Sequence, residues 1–180
     1  SKWIYYPTKD SNFAEVTDLS KLNRDSAKSA LFKKEFLLNS RVEEAHFQLM
    51  GDTYAKLFIN DNFAGEVFAR RSGSLIVDYR RIKFIDVKPF LKIGENMIRV
   101  EVENFEETNY RGNYKFGDAG VNIHGYIKTE NGVKEIMTDN SWLARRRDSE
   151  EWEQAVEREY RFTVIAPNFE TNRTSWIERE

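Results

Sequence analysis

The sequence contains no cysteine. That absence excludes disulfides, thiolate metal sites and cysteine nucleophiles together, and it leaves the redox compartment undecided. Histidine is nearly absent too. His46 and His124 are the only two, too few for a multi-histidine transition-metal site. No apolar run approaches the ~20 residues of a membrane-spanning helix, and no signal peptide is visible. Nor is there an excess of one charge. The 28 basic and 30 acidic residues leave a net of −2, which gives no electrostatic reason to expect nucleic acid or an anionic membrane as partner. The chain begins at Ser1 rather than at methionine, as expected of a processed or excised piece.

What is present is apolar and aromatic residue, 40% and 14% of a 180-residue chain, which argues for a folded protein. The length suits one domain with a real core. The dominant period is two. Ala45, Phe47 and Leu49 alternate with His46 and Gln48; Ile98, Val100 and Val102 alternate with Arg99, Glu101 and Glu103. Val121, Ile123 and Ile127 alternate with Asn122, His124, Tyr126 and Lys128. Such alternation marks strands with one face in a core and one in solvent. Phe47, Leu49, Leu57, Ile59, Ile98, Val100, Val121 and Ile123 are therefore expected in the core. "FKKEFLL", "YAKLFIN", "RIKFIDV", "GVKEIMT" and "YRFTVIA" add weaker candidates. About eight short strands separated by turns predict an all-β fold, an antiparallel sandwich or jelly roll.

Asn131-Gly132 predicts a type I′ hairpin, "VKPFLK" a short helical turn, and "IGEN" (93–96) a further turn. One longer helix is expected in "DSEEWEQAV" (148–156). Asp148 or Ser149 would cap it, and Trp152, Ala155 and Val156 would share a face. The polar stretch from Asp18 to Ser29 reads as loop or short helix.

"LFINDNFAGEVF" (57–68) places Asn60, Asp61 and Asn62 between two apolar runs. As an EF-hand it fails: counting from Asn60 the fifth position is Ala64, and the twelfth is Arg71 where a bidentate acid is required. As a tight turn it succeeds, because Asn and Asp tolerate the left-handed conformation. A sugar contact at this tip is the lesser alternative.

The order "FKKEFLL … AHFQLMGDTYAKLFINDNFAGEVF … IKFIDVKPFLKIGENMIRVEVEN" resembles the galactose-binding-like β-sandwich domains that accompany bacterial glycoside hydrolases. The likeness is to the amino-terminal domains of α-L-rhamnosidases and of the β-galactosidase and β-glucuronidase family. Asn60, Gly65, Asp86-Val87, Leu91-Lys92 and Gly94-Glu95-Asn96 match in order and spacing, and "KWIYYP" (2–7) and "TDNSW" (138–142) resemble the rhamnosidase entry and exit. Asp61 stands where a turn glycine is usual. "EVFARRSGSLIVDYRR" departs from the loop patterns of both groups, so fold carries over better than binding.

The resemblance implies a non-catalytic accessory module that binds a glycan or glycoside, or a ligand-free buttress on the catalytic domain of a parent chain. It implies a periplasmic or extracellular setting rather than a cytoplasmic one. It implies no cofactor; a structural calcium occurs in such domains, but no ligand set maps onto this sequence. A stand-alone jelly-roll hydrolase or lyase is a further alternative, although no carboxyl pair has the distinctive context that glycoside hydrolysis would need.

The richest loop, "NFEETNYRGNYKFGDAG" (104–120), combines aromatic faces with planar polar groups, the two elements of a sugar site. Asn109, Tyr110, Arg111, Asn113 and Tyr114 are its candidate contacts, with Asp78, Tyr79 and Arg80 joining if both loops lie at one end. The alternative is an ordered loop whose tyrosines fold back on the sandwich. "RRR" (145–147), beside "DSEEWE", reads as a strand end with local charge compensation. Residues 1–165 are expected to form the sandwich. Residues 166–180, with Trp176, are expected to be a linker or the start of a following domain.

Overall fold

The computed structural model describes residues 1–8, 27–52, 54–68, 70–71, 78–79, 82–104 and 118–158, with the backbone alone at 52, 70, 71, 78 and 79. Fourteen strands lie in these residues. Sheet A runs in the order β14 (Val156–Arg158), β1 (Trp3–Tyr5), β10 (Gly120–Thr129), β3 (Val42–Asp52), β8 (Lys83–Asp86), with β11 (Gly132–Met137) also on β10. Sheet B runs β13 (Glu153–Gln154), β12 (Leu143–Arg146), β2 (Ser29–Leu38), β9 (Gly94–Glu103), β4 (Tyr54–Ile59), β5 (Asn62–Phe68). A two-stranded ribbon joins β6 (Arg70–Arg71) to β7 (Asp78–Tyr79). Every pairing is antiparallel.

Two long ladders set the architecture. β3 aligns with β10 from Asp52↔Gly120 to Val42↔Thr129, and β2 aligns with β9 from Ser29↔Glu103 to Leu38↔Gly94. All eight core residues expected from the alternation are 0% exposed, so the register follows the hydrophobic period. Bulk is matched across strands. Phe47 stands opposite Gly125, where an added Cβ would overlap its ring. At Gly65 an added Cβ would come within 2.8 Å of Ile85 Cδ1, so glycine lets β5 of sheet B approach β8 of sheet A. Among the described residues no helix is long and apolar enough to cross a membrane.

The hairpin tip is a turn, as expected. Asn60 and Asp61 have φ of 49° and 64°, and Ile59 pairs with Asn62 across them. Positive φ at both central residues is the type I′ arrangement. Asn60 is also a latch. Its Nδ2 donates to Phe90 O and Asn96 Oδ1, both at 2.9 Å, and its Oδ1 accepts from Met97 N at 3.0 Å. Asn96, 2% exposed, accepts in turn from Lys92 N and donates to Lys92 O and Gly94 O. The 3-10 turn Lys88–Phe90 expected in "VKPFLK" leads into this knot, with Asp86 Oδ1 accepting from Lys88 N at 3.0 Å.

"TDNSW" is a second fastener. Thr138, fully buried, donates from Oγ1 to Lys2 O at 2.6 Å and accepts there from Ile123 N at 3.0 Å, which ties β1 to β10. Trp142 is 0% exposed and its Nε1 donates to Met137 O at 2.9 Å. Between them, burial works to raise the Asp139 carboxyl, but hydrogen bonds from the Ser141 hydroxyl and backbone, with the charge of Lys34, hold it below its ordinary value.

Two expectations are corrected. The segment 148–156 is not a helix: it forms a turn, then β13 and β14. β13 extends sheet B on β12 and β14 extends sheet A on β1, so one segment caps an edge of each sheet. Ala155 between them is 1% exposed and donates its N–H to Trp142 O at 2.9 Å. Pairing both edges outweighed the local cap and acidic first turn. At Asn131-Gly132 only Gly132 has positive φ, 131°, and the pair Thr129↔Gly132 encloses Glu130 and Asn131. That hairpin is not type I′. "YRFTVIA" and the segments 9–26 and 159–180, including Trp176, lie outside the described residues.

The latch makes a contrast that equilibrium urea unfolding can measure. Asn60→Gly keeps the backbone shape but removes three hydrogen bonds and should cost about 1–3 kcal/mol. Asp61→Gly, at the adjacent positive φ, should be neutral or stabilising. Asp139 adds a pH dependence. A carboxyl held below its unfolded value contributes stability above that value and loses it as pH falls through the folded value. The stability gap between wild type and Asp139→Asn should therefore be widest above the ordinary carboxylate range and narrow as pH falls below it.

Candidate functional site

The candidate contacts Asn109, Tyr110, Arg111, Asn113 and Tyr114 lie outside the described residues, as do Arg80 and the side chains of Asp78 and Tyr79. The strands that lead to them are described. Tyr54 pairs with both Glu103 and Phe68, so β9 and β5 deliver residues 105–117 and 69–82 from one row of sheet B. β10 begins at the same end, where Asn104 Nδ2 donates to Asp118 O at 3.4 Å and Ala119 N donates to Ala27 O at 2.7 Å. The two segments leave the sandwich at a common end.

A buried charge clamps that end. Asp118 is 1% exposed; its carboxylate accepts from Ala27 N at 2.8 Å, Arg158 Nη1 at 2.7 Å and Thr8 Oγ1 at 3.4 Å. Arg158 Nη2 also donates to Thr8 Oγ1 at 3.1 Å, and its guanidinium lies 5.2 Å from the Tyr5 ring centroid. Four parts of the chain, around Thr8, Ala27, Asp118 and Arg158, meet on one carboxylate. In the sequence Asp118 is one polar residue among many in the loop 104–120. Its acceptor role depends on backbone donors that only the fold brings near.

The remaining features sort as follows. The Arg145–Arg147 run is locally compensated: Arg145 lies 3.6 Å from Glu150 and 5.2 Å from the Trp152 ring, Arg147 pairs with Glu103, and Arg146 stands over Tyr6. A shallow depression of about 200 Å³ lined by Lys33, Lys34, Glu35, Ser141 and Leu143 holds two ammonium groups and no aromatic ring, which is not the make-up of a sugar site. Among the described residues no cluster of three acids or histidines could hold a metal ion, so nothing here assigns a calcium site.

The outer face of sheet A differs. Phe84, Gln48 and His124 form one row across β8, β3 and β10, and Asp86, His46 and Tyr126 form the next. Tyr126 Oη donates to Glu44 Oε1 at 2.8 Å, and its ring lies 5.8 Å from His46 at 42°. The bond to Glu44, with smaller effects of burial and of the carboxylate charge, pushes the phenol above its ordinary value and keeps it a donor. His124 Nε2 meets Glu135 Oε1 at 2.7 Å. Both histidines are on the outward face, as their strands' alternation implies. The period of two placed Tyr126 toward solvent but could not show that Glu44 and His46, on another strand, would hold it.

No family model and no curated protein matches this sequence. The fold does match solved structures. The α-L-rhamnosidase of Aspergillus terreus superposes with a TM-score of 0.64 at 19% identity, covering 89% of this chain and 21% of that one. The Streptomyces avermitilis α-L-rhamnosidase complexed with L-rhamnose gives 0.58 at 18% identity, over 87% and 14%. The Pleurotus ostreatus lectin in complex with GalNAc gives 0.57 at 20% identity, over 92% and 43%. The chain thus shares its β-sandwich fold with a part of each of these proteins. It spans about a fifth or less of these rhamnosidases.

The clamp is testable by denaturation. Asp118→Asn leaves the Arg158 guanidinium buried without its carboxylate and should cost about 3–5 kcal/mol. Replacing both, as Asp118→Asn with Arg158→Met, should cost less than the sum of the single changes.

Proposed function

We propose that this chain is a non-catalytic, glycan-binding accessory module of a glycoside hydrolase. The observation that carries this reading is the shared fold: the match covers 14–21% of two rhamnosidase chains and 43% of a lectin solved with GalNAc. The ligand would be a neutral or mildly acidic glycan held at the end rooted by Asp118. There Tyr110 and Tyr114 would stack on sugar faces, while Asn109, Arg111 and Asn113 bond vicinal hydroxyls. Asp78, Tyr79 and Arg80 would complete the site, since the strands flanking both segments point to one end. Chemistry would belong to another part of the parent protein, in a periplasmic or extracellular setting.

One observation favours a second reading, the ligand-free buttress. The outer face of sheet B exposes Phe63 at 52% and Phe68 at 50%, and Phe63 packs edge-on against Phe58. Apolar residues grouped on a surface suit contact with a neighbouring domain.

Glycan arrays followed by calorimetry separate the two. Weak binding is expected, because a shallow site gives few desolvated contacts. Tyr110→Ala with Tyr114→Ala should abolish that binding while moving the melting temperature little. If wild type binds no glycan, or the double variant unfolds without a ligand ever being found, the buttress reading stands. Turnover of an aryl glycoside by the chain alone would refute both.

A further inference from the structure

We infer that the outer face of sheet A is a second glycan-contacting surface, a flat platform for a neutral oligosaccharide chain with Tyr126 and Phe84 as its stacking rings. The inference rests on the glycan-binding reading and adds a site that lies away from the loop end. Tyr126 is three side-chain rows from Gly120, where β10 emerges from that end.

Three observations converge. First, two aromatic rings are presented to solvent on one face, Phe84 at 53% and Tyr126 at 41% exposure. Exposed apolar rings that share one face are the kind of surface that marks a contact site. Second, Tyr126 is preorganised. Its hydroxyl is tethered to Glu44 and its ring is braced by His46, so little side-chain freedom remains to be lost when a sugar stacks on it. Third, the spacing fits. Phe84 and Tyr126 sit on β8 and β10, with β3 between them, one row apart. At ~4.8 Å between strands and ~6.8 Å per two residues, their Cα atoms are about 12 Å apart. A di- or trisaccharide bridges that distance, with Gln48 and His46 lying between the rings to bond its hydroxyls.

The charge around the platform selects the ligand. Glu44, Asp86 and Glu135 flank it; Lys128, on the Glu44 side, lies 3.2 Å from Glu43. An excess of carboxylates repels uronic acids and tolerates neutral sugars. The platform therefore differs in kind from the loop end. A single sugar suffices there, whereas here a chain must reach both rings.

The experiment is affinity gel electrophoresis of the full chain in galactomannan, xyloglucan and arabinan, with polygalacturonate as the acidic comparison and monosaccharide calorimetry beside it. Wild type should be retarded by at least one neutral polysaccharide and not by polygalacturonate. Tyr126→Ala with Phe84→Ala should weaken that retardation at least fivefold and leave monosaccharide binding unchanged. Tyr126→Phe, which keeps the ring and loses the tether, should retain most of it. Undiminished retardation of the double alanine variant would overturn the platform and leave the module reading standing. Absence of retardation of wild type would also overturn it, while monosaccharide calorimetry decides the module reading separately. Should the double variant unfold, the His46 and His124 imidazole signals of wild type decide by NMR: they shift on adding the retained polysaccharide if the platform is real and stay put if it is not.

Discussion

Two antiparallel ladders, β3 on β10 and β2 on β9, hold this protein together, and each admits only one register. A slip of one residue would turn Phe47, Leu49, Val121 and Ile123 to solvent and bury His46, Gln48, His124 and Tyr126. The other elements are hung on these ladders. β4 and β5 continue sheet B from β9, β8 continues sheet A from β3, and the C-terminal strands finish both sheets. Two glycines then make room for bulk: Gly125 lets Phe47 lie across its neighbouring strand in sheet A, and Gly65 lets β5 of sheet B come against Ile85 of sheet A.

The residues that carry the family resemblance act as fasteners of this frame. Asn60 and Asn96 bond to each other and to the backbone around the 3-10 turn; Thr138 ties β1 to β10; Trp142 fills the core. Each satisfies buried donors and acceptors that a sandwich of this topology cannot leave unpaired. Sequences with the same fold meet the same requirement, which explains why the motifs foretold architecture and why they say little about a ligand.

The surfaces proposed to contact glycans occupy what the fasteners leave over. The Asp118–Arg158–Thr8 clamp gives two chain segments a firm root at one end of the sandwich, and variable loops on a rigid base are a common place for recognition. The outer face of sheet A offers a different kind of surface, one whose geometry is set by strands rather than loops. Placement on strands fixes the distance between rings, and tethering of Tyr126 fixes the tilt of one of them.

The sequence by itself determined the fold class, the inward and outward faces of the long strands, the turn at Asn60-Asp61 and the 3-10 turn after Val87. These follow from periodicity and local backbone preference, which act over a few neighbouring residues. Tertiary structure alone decided the rest. Residues 148–156 carry helix-start signals, yet they became β13 and β14 because two open sheet edges offered hydrogen bonds. Asn131 has the composition of a type I′ turn, but the positive φ falls on Gly132 alone. Asp118 finds Arg158 40 residues away, and Tyr126 finds Glu44 82 residues away. No local pattern encodes such meetings, since they exist only after the ladders have closed.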